Sequence, residues 1–349
     1  MSAGFARVFE RTSFVLGEEV AEFEASFARF VRVPHCIGVA NGTDALELAL
    51  RALGIGAGDE VVVPTNSFIA SALAVSRTGA TPVFVDCDAV HGLIDVADVK
   101  RKITPRTRAI MPVDLFGQVA PIERLEPLVA GRRIAIVEDA AQAQGASRNG
   151  RTAGSFGSVA ATSFYPGKNL GAYGDAGAVV TASDEIAKRV RALRNYGSEV
   201  KYHHPETGFN SRLDTLQAVV LNAKLKRLAD WNAARGRAAK RYDELLAGAP
   251  GLTLPATLPG NQHIWHLYVV RVPRRDEVLA RLAAAGIGAG IHYPLPIHLQ
   301  GAYRSQGRRA GDFPVAERAA AEILSLPLFA EITPAQQERT AAVLTEALS

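Results

Sequence analysis

The chain has 349 residues, 48% hydrophobic and 21% charged, which is enough apolar mass for a large core and too little charge for disorder. A formal net charge of +4 over this length is too thin for nucleic-acid binding and suits an enzyme of anionic ligands. The two cysteines make neither a disulfide framework nor a metal set, Met1–Leu16 has no apolar signal core, and no apolar run is long enough to span a bilayer. A cytoplasmic protein without metal, membrane or nucleic-acid partners is therefore expected.

In chain order, residues 43–53 read as a helix that is apolar on most sides and so buried. Residues 60–63 read as a short strand ended by Pro64, 67–78 as a helix, and 82–86 as a strand. Further strands are expected at 110–115, 134–139, 160–164 and 178–181, with helices near 96–103 and 122–129. Strands alternating with helices imply a mostly parallel sheet covered on both faces, with ligands at the carboxyl ends of its strands. Gly54 to Gly58 leads from helix to strand, the reverse of the dinucleotide-binding order, and reads as a turn. Asn149-Gly150 reads as a tight hairpin turn.

Lys188, Arg189, Arg191 and Arg194 alternate with Ile186, Val190 and Leu193 at helical spacing, which predicts a solvated helix face. Ser211 before Asp214 resembles a capping box opening a long helix toward residue 247, with a break near Gly236. Past Pro250 the pattern changes: a strand at 263–272, a helix at 274–285 and a terminal helix at 334–348. The expected division is a large α/β domain over 1–234, with an N-terminal helical segment, and a smaller α+β domain over 235–349. His263 with His266, and His203 with His204, lack further ligands at metal spacing.

Lys168 sits in Tyr165-Pro166-Gly167-Lys168-Asn169-Leu170-Gly171, a polar, Gly-flanked turn that suits a Schiff-base lysine better than a core one. Asp139 ends an apolar run, where an anion suits a protonated ring nitrogen. Together they point to pyridoxal phosphate. Asn41-Gly42-Thr43 opens a helix, so Gly42 and Thr43 can supply close backbone and a hydroxyl to a phosphate, and Ser163 a second hydroxyl. Phe68 and Ala141 can wall the ring, and Gln142 can meet its hydroxyl. Each residue alone has an ordinary structural explanation; their joint order on one scaffold fills every requirement of one cofactor.

These residues resemble the pyridoxal-phosphate-dependent nucleotide-sugar aminotransferases of the DegT type, which share the fold-type I, aspartate-aminotransferase architecture. The resemblance is carried by Asn41-Gly42-Thr43-Asp44-Ala45-Leu46, Glu138-Asp139-Ala140-Ala141-Gln142, Phe164 to Asp175, Gly208 to Leu213 and Ile291-His292-Tyr293-Pro294. It implies that Lys168 anchors the cofactor and acts as general base, and that Asp139 pairs with the pyridine nitrogen. Gln142 would meet the ring hydroxyl, Phe68 would stack, and Gly42, Thr43 and Ser163 would hold the phosphate. Asn210 would reach the neighbouring subunit's cofactor, which implies a homodimer with shared sites.

The amino donor implied is L-glutamate and the acceptor a nucleotide-linked keto sugar. The chain looks most like members acting at C-3 of dTDP-3-keto-6-deoxyhexoses, in antibiotic or surface-polysaccharide pathways, with Arg212, His292 and Tyr293 gripping sugar and diphosphate. The alternatives are amination at C-4 or of a keto-inositol, and a regulatory or scaffold homologue without activity. Two departures from the family stand out. The lead-in before Val15 is short, and Asp114 stands where many members carry histidine.

Overall fold

The structure is a computed structural model describing residues 1–349. Helices α1 (Ser2–Arg11) and α2 (Glu18–Val31) precede strand β1 (His35–Val39). Next come α3 (Gly42–Ala52), β2 (Glu60–Pro64), α4 (Ile69–Arg77), β3 (Thr81–Val85), α5 (Val96–Lys102), β4 (Thr107–Ile110), α6 (Ile122–Val129) and β5 (Ala135–Asp139). A small hairpin of β6 (Ser147–Arg148) and β7 (Arg151–Thr152) turns at Asn149-Gly150, followed by β8 (Val159–Ser163), β9 (Gly177–Thr181) and α7 (Asp184–Leu193).

One seven-stranded sheet, in the order β1-β9-β8-β5-β4-β2-β3, organises this region. Strands β3, β2, β4, β5 and β8 run parallel, while β9 is antiparallel to both β8 and β1. The mostly parallel sheet expected from the alternation is thus present, with reversed direction confined to the β1 side. Val61, Val62 and Val63 are all fully buried, as both-face coverage requires. One core joins α3 and α7 to one face of the strands, and a second joins α2 and the helix Thr215–Leu225 to the other.

After the sheet come α8 (Thr215–Leu225), α9 (Leu228–Leu245), β10 (Asn261–Gln262), β11 (Tyr268–Arg271), α10 (Arg275–Ala284), α11 (Pro314–Glu322), β12 (Ile323–Leu326) and α12 (Pro334–Leu348). Strands β11 and β12 pair antiparallel, and their apolar residues pack with α9, α10 and α12. Residue 235 lies inside α9. That helix places Leu228 in a sheet-side core and Ala239 and Tyr242 in the C-terminal one. No helix is long and apolar enough to cross a membrane.

Five expectations are corrected. The single long helix after Ser211 is two helices that break between Leu225 and Leu228, not at Gly236. Asp214 is the N-cap without a side-chain cap bond, and the Ser211 hydroxyl donates instead to Asp44, 2.8 Å away. The strand expected over 263–272 starts only at Tyr268, because Trp265 adopts a left-handed φ of 51° that no strand accommodates. The strand expected over 110–115 ends at Ile110, and Phe116, at φ 61°, turns the chain away. Finally, Arg194 is not on a solvated face. It is buried, bonding Glu24 and the Gly38 carbonyl.

Phe164, fully buried, meets Phe23 and Phe27 edge-on at 5.2 and 5.1 Å, so α2 is fastened directly to the strand end that leads into Lys168. Phe164→Ala is expected to cost about 3–5 kcal/mol, measured as a lower urea midpoint. An unchanged midpoint would show that this aromatic cluster does not hold α2 to the sheet.

Candidate active site

Strands β5 and β8 run parallel, so Asp139 and Ser163 emerge on the same rim; Asp139 is paired with Ala161. A tight turn, closed by the Lys168 N–H on the Tyr165 carbonyl at 2.8 Å, then returns Lys168 to that rim. Asp139 is buried. Its Oδ2 accepts from the Ser71 hydroxyl at 2.7 Å and its Oδ1 from the Ala141 N–H at 3.2 Å. Ser71 is in turn 2.8 Å from Ser67. Burial raises the Asp139 pKa, while Ser71, Ala141 and the charge of Lys168 oppose the rise. Burial lowers Lys168 to about 8, with Asp139 opposing it. Each charge is the partner that makes burial of the other tolerable.

The N-terminus of α3 faces this pair. Asn41 caps it by accepting the Asp44 N–H at 2.8 Å, and the first turn leaves the N–H groups of Gly42 and Thr43 without intrahelical partners. A Cβ on Gly42 would lie 2.6 Å from the Ser163 Cβ, so only glycine lets the helix start and Ser163 share one concavity.

Phe68 is the N-cap residue of α4, just before the helix rather than on it, and is half exposed. Its ring lies 5.3 Å from Tyr293 at 37°. The Tyr293 hydroxyl accepts from Gln142 Nε2 at 3.2 Å, and Gln142 Oε1 accepts from the Phe116 N–H at 2.7 Å. Burial, reinforced by Asp139, raises Tyr293 to about 12, so its hydroxyl stays protonated. His292 lies 2.8 Å from Ser325 Oγ, and burial followed by the charge of Lys168 lowers its pKa.

Contacts and mutual charge effects thus link Lys168, Asp139, Gln142, Phe68, His292 and Tyr293, while Gly42 lies against Ser163 on the same rim. Asn210 and Arg212 sit on a separate loop. Asn210 is exposed and bridges to Asn195, while Arg212 bonds the Asn195 side chain at 3.1 Å and lies over Tyr196.

Sequence reasoning missed two supporting groups. Ser67 and Ser71 are four apart, a spacing that signals a shared face, but only the fold shows Asp139 opposite them. Asn169 is buried and holds the turn beside Lys168. It donates to Asn232 at 2.8 Å and to the Ile264 carbonyl at 3.1 Å, and lies 3.2 Å from His266 Nδ1. Nothing local marks the residue next to Lys168 as the clamp of its turn. The half-buried lysine and buried aspartate on one rim, with a helix start stripped of side chain at Gly42 against Ser163, fit pyridoxal phosphate: an amine for its aldehyde, an anion for its ring nitrogen, free N–H groups for its phosphate.

Comparison with known proteins agrees with this geometry. A transaminase of Streptomyces venezuelae, dTDP-3-amino-3,4,6-trideoxy-alpha-D-glucose transaminase, is 51% identical over 326 residues, 93% of this chain and 86% of that relative. The UDP-N-acetyl-3-dehydro-alpha-D-glucosamine 3-aminotransferase of Acidithiobacillus ferrooxidans is 46% identical over 99% of this chain and 93% of its own. The crystal structure of S. venezuelae DesV in complex with a ketimine intermediate superposes with a TM-score of 0.97 at 49% identity, covering 99% of this chain and 93% of that one. Residues 2–345 match one family model end to end, and the chain belongs to the DegT/DnrJ/EryC1/StrS aminotransferase family.

Proposed function

We propose that this aminotransferase carries an amino group from L-glutamate to C-3 of a dTDP-3-keto-6-deoxyhexose, using pyridoxal phosphate, in deoxyaminosugar biosynthesis. The observation that carries the proposal is the half-buried Lys168 on the rim of the buried Asp139, each acting on the other's charge, with the open α3 N-terminus against Ser163 of the same rim. The relatives acting on C-3 amino sugars support the acceptor.

Pyridoxal phosphate, when bound, supplies the aldehyde that carries the amino group and the ring that accepts electron density. Lys168 would hold it covalently. Once the donor has displaced it, the Lys168 Nζ is a free base that takes the proton from the donor's α-carbon and returns one on the same face. For a lysine of pKa about 8, roughly a tenth is deprotonated at pH 7, hundreds of times more than for an ordinary lysine. Asp139 would hold the proton on the ring nitrogen, and Ser71 keeps Asp139 anionic by donating to it. Gln142 is aimed by Phe116 and Tyr293, and Phe68 and Tyr293 form one aromatic wall.

The homodimer belongs to the same proposal. Asn210 faces solvent in one chain, Tyr165 and Tyr173 are exposed on either side of Lys168 in sequence, and Tyr196 and Tyr202 are exposed on the separate segment that carries Asn210. A second copy across that face would bring Asn210, and Arg212 with it, to the partner's recess. Two buried, free thiols, Cys36 and Cys87, suit a reducing cytoplasm.

Three outcomes test this. Lys168→Ala is expected to abolish amino transfer from glutamate, and borohydride trapping with mass spectrometry should find the cofactor on Lys168 of the parent only; turnover by the variant would refute the assignment. The rate at which stripped protein takes up pyridoxal phosphate should rise with pH through about 8 and then level, because only the amine attacks. A midpoint at the ordinary lysine value would remove the argument from burial. Ser71→Ala should slow the glutamate half-reaction roughly 10- to 100-fold, as loss of a hydrogen bond to a charged group of about 1.5–3 kcal/mol implies. Ser71→Thr, which keeps the hydroxyl, should recover most of it in the same stopped-flow assay.

A further inference from the structure

Directly behind Asp139 lies a second pair of carboxyls that the proposed chemistry does not use. Asp114 and Glu138 are both fully buried, at 0% exposure. The parallel bridge of Val113 to Asp139 turns Asp114 and Glu138 toward one shared face of the two segments, where each is the side chain that acts most strongly on the other. The backbone ties this pair to Asp139. The Asp114 N–H donates to the Asp139 carbonyl at 3.0 Å, and the Asp139 N–H donates to the Pro112 carbonyl at 2.9 Å. Asp114 is therefore tied to the last residue of β5 through its main chain, with its side chain on the face of the residue before it.

Two deprotonated oxygens do not hold each other in a dry contact, so the pair must contain a proton. Its place follows from the donors. Glu138 is prepared as an anion, since one oxygen accepts the Gly154 N–H at 2.6 Å and the other the Phe156 N–H at 2.9 Å. Asp114 has one donor, the Ala120 N–H on Oδ1 at 2.8 Å. Its Oδ2 is buried with no donor at all. The charged groups facing the pair are Asp139 and, from the hairpin strand, Arg151, which acts on Glu138.

We propose that Asp114 is a neutral carboxylic acid whose Oδ2 proton bridges to the Glu138 carboxylate, and that this pair is a positioning element aiming Asp139. Burial and then the charge of Glu138 push the Asp114 pKa far upward, in accord with this assignment. With Asp114 neutral, one anion fewer crowds Asp139, which must itself stay ionised. The proton assignment stands on the burial of the two carboxyls, the shared face they occupy and the donors each accepts; only the role of Asp139 rests on the pyridoxal-phosphate reading.

The test keeps the two separable. Infrared spectra of the full-length protein, cofactor-loaded and stripped, are recorded at neutral pH with and without 13C-carboxyl aspartate. A protonated-acid carbonyl band that shifts with the aspartate label and vanishes in Asp114→Asn is expected in both forms. Absence of the band, or its survival in Asp114→Asn, overturns the assignment whatever the cofactor does.

Asparagine keeps the shape, accepting from Ala120 through its oxygen and donating to Glu138 through its amide. Asp114→Asn should therefore leave the glutamate half-reaction within about threefold, whereas Asp114→Ala should slow it at least about tenfold. A folded Asp114→Asn slowed as much as Asp114→Ala would overturn the positioning role. If Asp114→Ala does not fold, the infrared result and the asparagine variant still decide.

Discussion

Everything in the recess depends on the mutual burial of one ammonium and one carboxylate. Lys168 alone in that site would be driven toward its neutral form, and Asp139 alone toward its acid. Together they set a lysine basic enough to be recharged and weak enough that roughly a tenth is free at pH 7. The scaffold serves that balance. Parallel β5 and β8 deliver both residues to one rim, Ser71 on α4 tops up the hydrogen bonding of Asp139, and Asn169 pins the turn beside Lys168.

Anion management extends one layer deeper. Three carboxyls, Asp114, Glu138 and Asp139, occupy the ends of two neighbouring chain segments within a dry interior. Backbone N–H groups hold Glu138, a serine and an N–H hold Asp139, and a shared proton relieves Asp114. Buried charge is distributed here by the count of available donors rather than by salt bridges to arginine.

Much of this was legible before the fold was known. The alternation of short apolar strands with helices carried the parallel sheet, and helix 122–129 and terminal helix 334–348 coincide with their expected bounds. The Asn-Gly-Thr helix start and the Lys168 turn were readable only together, since each alone has an ordinary structural explanation while their joint order fits one cofactor. What stayed hidden depends on distant partners. Trp265 interrupts the expected strand because Ile264 and Leu267 bond the carbonyls of Gly117 and Phe116, a pairing between segments far apart in sequence. Arg194 looks like any helix-end cation until Glu24 and the Gly38 carbonyl arrive from the other end of the domain. Ser211 has the spacing of a cap, yet its hydroxyl is claimed by Asp44.

Helix α9 does mechanical work that no single residue reveals. Near its start Asn232 bonds Asn169 beside the lysine, one turn later Arg235 reaches the Leu328 carbonyl at 2.9 Å, and Tyr242 beyond it fills the C-terminal core. One inserted residue would rotate everything downstream by about 100° and advance it about 1.5 Å. The rod therefore acts as a ruler with three engraved marks, and evolution can vary its surface letters freely but not its length.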